Sequence, residues 1–382
     1  MQKIMHIFSS CLIVFFLCLA FMNCSFFEHR QESAWKPGIP LSNDKIKIAF
    51  IHLNDINRNS FYENAHYQGS LEMQQYIGLE DKQIVHKVNV FDGDPGVVEG
   101  VMRDCIAEGC NIIIATSFGF MGVCEKLAAE FPTIIFVQLM GNKRNNRNFT
   151  YYTARLYHAC YLAGIAAGLR TESGKIGYVA AIGKENSEVS AGINAFAIGV
   201  EEVNPNAHVY VHITYSWYDP MGEADATSAL IAAGCDVIAA HCDTSTPQTE
   251  AQKAGVWAIG FNGDMSDIAP DAVITSVIPH WGSIYTRLIE SIIKGTFRAA
   301  PYYYGLGEEA VDITPLNLKL AAPGTEDAVG AARRRIINGG FNVFDGKMET
   351  NTGAYVGESG GTLSDEIILG GIDWYYRNVV EQ

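Results

Sequence analysis

Residues 111–116 read Asn-Ile-Ile-Ile-Ala-Thr, apolar at every interior position, so both faces of the strand they form must be covered. Such a strand belongs in the middle of a parallel sheet with helices on each side, and the surrounding chain supplies them. From Lys45 onward, β-rich runs at 46–53, 83–90, 111–116 and 133–138 alternate with helical stretches at 60–77, 95–108 and 122–130. A second series follows 151–155, with strands at 175–181, 208–215, 236–240, 256–260 and 273–277 among helices at 156–170, 187–203, 220–233 and 245–255. Asp219 before Pro220 reads as a helix cap followed by proline at the first helical position, and Gly234 as the matching stop. The expectation is an α/β protein with two doubly wound parallel sheets. A last helix at 281–294 carries Ile284, Leu288 and Ile292 on one stripe, after which the pattern loosens into a Gly-rich tail.

The N-terminus sets the expected location. Lys3 precedes an apolar run from Cys11 to Met22 that is short for a membrane span and reads as a secretory signal over 1–23. Phe21-Met22-Asn23-Cys24 resembles a bacterial lipobox, with Asn23 where a small residue is usual, and implies lipidation of Cys24. Residues 24–44 are polar, contain proline and read as a tether. The expected product is exported and lipid-anchored, on the periplasmic or extracytoplasmic face of the cell membrane.

With 27 Lys+Arg against 42 Asp+Glu, the formal charge of −15 opposes binding to nucleic acid or to anionic lipid through a basic face. Beyond the signal, Cys105, Cys110, Cys124, Cys160, Cys235 and Cys242 remain; most sit in apolar or Ala/Gly-rich stretches and read as small buried hydrophobes, although export would permit pairing. The chain has no C-x-x-C pair and no phosphate-binding loop, and neither a metal nor a cofactor is expected. Gly-Glu-Ser-Gly-Gly at 357–361 fits the nucleophile-elbow pattern around Ser359, but its Gly-rich flanks suggest a hairpin and a capped turn instead of strand and helix.

Parallel sheets bind ligands beyond the carboxyl ends of their strands. There the chain places Asn54–Phe61 after the first strand, Ser117-Phe118-Gly119-Phe120 after the third, and Ser216-Trp217-Tyr218-Asp219, His241-Cys242-Asp243-Thr244-Ser245 and Phe261-Asn262-Gly263-Asp264 in the second series. Aromatic and short polar groups recur at these ends, as a clamp for a flat polar small molecule requires.

Several of these stretches resemble the basic membrane protein family of ABC-importer substrate-binding lipoproteins, over about Lys45 to Val379. The resemblance rests on Thr116-Ser117-Phe118-Gly119-Phe120-Met121, Ala154-Arg155-Leu156-Tyr157 with Tyr161-Leu162-Ala163-Gly164, and Gly192-Ile193-Asn194-Ala195-Phe196. It continues through Trp217-Tyr218-Asp219-Pro220, Gly260-Phe261-Asn262-Gly263-Asp264-Met265 and Gly371-Ile372-Asp373-Trp374-Tyr375, in family order. It implies a type I periplasmic-binding-protein fold: one lobe from 45–155 plus about 278–298, the other from 156–277 plus about 299–382, joined by a hinge. It also implies a monomer that holds a purine and delivers it to an ABC permease, with no enzymatic activity.

Carried over by position, Phe61 and Trp217 fall where the stacking aromatics belong, and Asp264 where the family places a ligand-facing carboxylate. Trp217-Tyr218-Asp219-Pro220 looks like the branch associated with nucleobases. Asn262 replaces an aspartate, and Pro279 stands near where nucleoside binders carry a ribose-contacting lysine, so a base is favoured over a nucleoside. Each residue has a plainer reading as well. Phe61 can be a staple on a first helical turn and Trp217 a packing residue beside a helix; Phe118, with Phe120, reads first as lobe packing; His241 and Asp243 can serve the helix at 245 as easily as a ligand. A flavin or other flat heterocycle is the alternative ligand. An exported nucleoside hydrolase is the alternative of another class, and Asp264 with Asp267 does not make the carboxylate cluster it would need.

Overall fold

The computed structural model describes residues 36–56 and 60–382; the expected signal and Cys24 lie outside the described residues. Among the described residues no helix is long and apolar enough to cross a membrane.

Strands β1 (Ile48–Ile51), β2 (Ile84–Lys87), β3 (Ile112–Ala115), β4 (Ile135–Leu139) and β5 (Phe149–Ala154) alternate with helices α1 (Phe61–Ile77), α2 (Pro95–Ala107) and α3 (Met121–Glu130). The chain then runs through α4 (Leu156–Arg170), β6 (Lys175–Ala180), α5 (Ser187–Val203), β7 (His208–Ile213), α6 (Pro220–Ala232), β8 (Val237–His241), α7 (Thr246–Ala254), β9 (Trp257–Phe261), β10 (Val273–Pro279) and α8 (Trp281–Ile293). It ends with β11 (Tyr302–Tyr304), β12 (Val311–Ile313), α9 (Thr325–Ile337), a β13 (Met348–Glu349)–β14 (Tyr355–Val356) hairpin, α10 (Asp365–Gly370) and β15 (Val379–Glu381).

Two sheets result, ordered β11-β5-β4-β3-β1-β2 and β12-β10-β9-β8-β6-β7-β15. Every pairing within them is parallel except β10 with β12. This is the two-lobed α/β fold expected, and β3 lies inside the first sheet, buried along its whole length as its apolar run requires.

The second lobe is built on a close pair of helices. Ala, Gly and Cys make up much of α4, and at Gly164 a β-carbon would run into the carbonyl oxygen of Phe196 on α5, while one at Gly199 would run into that of Tyr161. The two glycines let the helix backbones touch, so the Tyr161-Leu162-Ala163-Gly164 stretch has no room for a side chain at its last position. α8 returns to the first lobe against α1, where a β-carbon at Gly69 would lie 2.7 Å from Gly282 N.

One boundary differs from the sequence reading. Tyr302–Tyr304 pairs with Tyr152–Ala154 as an edge strand of the first sheet, so the returning segment extends through Tyr304 instead of stopping near 298. Three consecutive tyrosines present no alternation that would mark them as a strand. The chain therefore passes between the lobes at three neighbouring places: after Ala154, after Pro279 and after Tyr304. Arg155 N donates to Tyr304 O at 2.7 Å and His280 N to Ala310 O at 2.8 Å, tying the passages together. Arg155 also makes a two-pronged ion pair with Asp365 of α10, at 2.6 and 2.7 Å.

The six described cysteines are buried and unpaired. Ser359 is exposed on the turn after β14, flanked by Gly357 and Gly360 at positive φ, with no helix directly following, so the nucleophile-elbow pattern is a turn.

Candidate functional site

Residues at the carboxyl ends of both sheets are brought together, and five of the sequence candidates meet there. Ser60 caps α1 by accepting from Glu63 N at 3.4 Å, which starts the helix with Phe61. The Phe61 side chain leaves its own lobe and packs on the second-lobe apolar cluster that contains Val179, Ala181 and Met265. Trp217, half-buried between β7 and α6, packs on the same cluster. The backbone joins it to the next strand end, because Asp243 N donates to Trp217 O at 2.8 Å.

Asp243 and Asn262 form the polar edge beside these rings. Asn262 Nδ2 donates to Asp243 Oδ1 at 3.2 Å, and Asn262 adopts a left-handed backbone, φ 63°, where the turn after β9 reverses. Burial pushes the Asp243 carboxyl up to about 7; Asn262 opposes this, whereas Glu63, Glu223 and Glu188 add to it. His241 lies beneath, buried, with its ring centroid 4.0 Å from that of Phe261 and 6.1 Å from that of Trp217. Burial lowers its pKa to about 3, which keeps it a neutral supporting ring.

The two remaining candidates sit elsewhere. Phe118 is 57 % exposed on the turn after β3. Asp264 is exposed, and its Oδ1 accepts from Ser266 N at 2.9 Å, capping a local turn.

Sequence reasoning did not select the polar groups supporting the first-lobe side. Glu63 is fully buried one helical position past Tyr62; its Oε2 lies 3.2 Å from His52 Nδ1, and its Oε1 accepts from Asn54 N at 3.0 Å. His52 Nε2 in turn meets His86 Nδ1 at 3.0 Å. This chain of contacts holds His52 and Asn54, just past the end of β1, against the first turn of α1. Tyr62 OH donates to Thr116 O, tying the start of α1 to the end of β3.

Glu188 was also missed. It follows the cap residue Asn186, whose side chain accepts from Glu188 N and Val189 N, and burial pushes its carboxyl up to about 7. The signal available was its place two positions after the Asn186 cap, on the helix that follows β6.

Among the described residues neither Asp243 nor Glu188 is ion-paired with lysine or arginine, and no group of three or more His, Cys, Asp or Glu is placed to hold a metal ion. The site offers aromatic faces beside carboxyl and amide groups able to hydrogen-bond.

A family model described as ABC transporter substrate-binding protein, PnrA-like (Bmp), matches residues 45–340. A purine-binding protein of Brucella abortus (strain 2308) is 30 % identical over 347 residues, covering 90 % of this chain and 95 % of that protein. A putative ABC transporter glucose-binding protein of Haloferax volcanii is 29 % identical over 332 residues, covering 86 % and 80 %. An ABC transporter solute-binding protein from Conexibacter woesei superposes with a TM-score of 0.63 at 22 % identity, covering 78 % of this chain and 98 % of that one, a likeness of fold.

Proposed function

Because the chain belongs to the Bmp family of PnrA-like ABC transporter substrate-binding proteins, we propose that it captures a purine between its lobes, a nucleobase in preference to a nucleoside, and hands it to a membrane permease. The observation that carries this reading is Phe61, a ring supplied by the first lobe that rests on the second lobe beside Trp217 and the Asp243–Asn262 edge. A flat heterocycle that stacks on these rings bridges the lobes, and only the bridged form presents both lobes to the permease. The relative from Brucella supports a purine as that heterocycle.

The polar groups support the base over the nucleoside. Asn262 gives one of its two amide hydrogens to Asp243, Asp264 is engaged in a surface turn, and His280 follows Pro279 where a lysine would reach a ribose. The protein works as an exported monomer anchored through lipid on Cys24.

Thermal shift tests the ligand. A ligand bound only by the folded protein adds RT ln(1 + [L]/Kd) of stability, so adenine or guanine at millimolar concentration should raise the melting temperature of the chain from Ser25 onward, and adenosine or guanosine should raise it less. A shift with glucose and none with any purine overturns the reading.

A further inference from the structure

Glu188 sits in the first turn of α5, the helix that follows β6 across residues 181–186. One turn along the same helix face, Gly192 lies so close to His241 that a β-carbon there would be 3.0 Å from His241 Nδ1. That face therefore looks onto the end of β8, two residues before Asp243, and Glu188 stands one turn nearer the cleft. Its charge is felt by Asp243 in the second lobe and by Tyr62 and Tyr303 in the first, as a group standing between the lobes requires. Among the described residues its carboxylate has no hydrogen-bond or ion-pair partner, and the residue is half-buried.

A half-buried carboxyl without a protein partner is left for water or a ligand to meet. The neighbouring groups determine which ligand. Asp243 and Glu188 are both acids, one of the two Asn262 amide hydrogens is given to Asp243, and no lysine or arginine among the described residues pairs with either acid, so above about pH 7, where both are ionised, the two acids present acceptors. We propose that Glu188, together with Asp243, accepts hydrogen bonds from the exocyclic amine of the ligand, making the protein selective for aminopurines over purines that carry a carbonyl at the same position and over nucleotides bearing phosphate. The proposal rests on the purine reading above. An amine only donates and suits both ionised acids, whereas a carbonyl oxygen or a phosphate in the same place would face two carboxylates and gain nothing from either.

The test is calorimetric titration with two matched pairs, adenine against hypoxanthine and guanine against xanthine, with adenosine monophosphate as the phosphate probe. Parent protein should bind the amino member of at least one pair about tenfold or more tighter, and the monophosphate weakest, because a hydrogen bond to a charged group contributes roughly tenfold or more to affinity. Glu188→Gln keeps the shape but can donate as well as accept, so it should shrink the amino-to-carbonyl ratio several-fold while leaving the ligand-free melting temperature near that of the parent. Should the amide variant fold poorly, Glu188→Asp carries the same test, since a shortened carboxylate must also lower the ratio. Parent that prefers the carbonyl member of both pairs, or variants with an unchanged ratio, overturn the proposal while leaving purine binding intact. Parent that binds none of these purines removes both.

Discussion

The ring of Phe61 lies over Gly263 so closely that a β-carbon on the glycine would stand 2.5 Å from Phe61 Cδ1. One residue belongs to the first turn of α1 and the other to the turn after β9, so this is a contact between lobes, and it exists only because position 263 has no side chain.

Gly263→Ala should therefore hinder approach of the lobes. Position 263 is not at positive φ, so alanine is tolerated by the backbone and the ligand-free melting temperature should change little. Ligand affinity should fall about tenfold or more, since overpacking at such a contact costs about 1–3 kcal/mol. Phe61→Ala in the same chain should remove the steric part of that loss, which calorimetry of the two single variants and the double variant reads as non-additivity.

Trp217→Ala should cost about 1–3 kcal/mol of binding free energy for every purine alike, because stacking does not distinguish ring edges. Asp264→Ala should leave affinities within about twofold, its carboxylate being exposed and committed to Ser266 N. A large, ligand-selective effect of the Asp264 change in calorimetry would return that residue to the ligand edge.

The acid edge has a pH signature. The Asp243 carboxyl titrates at about 7 in the fold, under burial and the fields of Glu63, Glu223 and Glu188, with Tyr62 on the facing helix. Unfolded, it ionises near ~4, so its ionisation removes stability as pH rises from that value through about 7, after which the loss is complete. His241, His86 and His158 are neutral in the fold and work the other way, losing stability as pH falls below about 6.5. Comparing Asp243→Asn with the parent isolates the carboxyl. Since proton binding and folding are linked, the variant should gain in relative melting temperature between about pH 5 and 8, and a gap independent of pH would contradict the assignment.

At Gly164 the conflict is with backbone, because the added carbon would meet the Phe196 carbonyl. Gly164→Ala should destabilise the protein by about 1–3 kcal/mol or more in denaturant unfolding, and a neutral result would show that α4 and α5 can move apart freely.

Cys24→Ala tests the anchor. Acyl chains contribute ~0.8 kcal/mol per buried CH₂, so the parent should enter the detergent phase and the variant should remain unprocessed or aqueous. Equal partitioning would point to a plain signal or a retained helix.

The strands were legible in the sequence because burial on both faces leaves unbroken apolar runs such as 111–116, and helix ends were legible where Asp219 meets Pro220. Tyr302–Tyr304 was not, since its strand character comes from the Tyr152–Ala154 edge it joins. The site was legible as a set of strand ends, which brought Phe61, Trp217, Asp243 and Asn262 into view. Which acid turns inward was not. Asp243 and Asp264 both follow strands, and only the backbone path decides that one is held by Asn262 while the other caps a surface turn. Glu188 escaped notice because the cap before it looks, in sequence, like any other helix start.

The three neighbouring passages between the lobes have a mechanical consequence. A single connection would act as a swivel, leaving the lobes free to tumble about one point. Three connections side by side, fastened to each other at Arg155–Tyr304 and His280–Ala310, act as a leaf spring: they bend readily about one axis and resist twist about the others. In the proposed binding cycle, opening and shutting would follow one track, returning Phe61 to the same glycine each time the lobes meet.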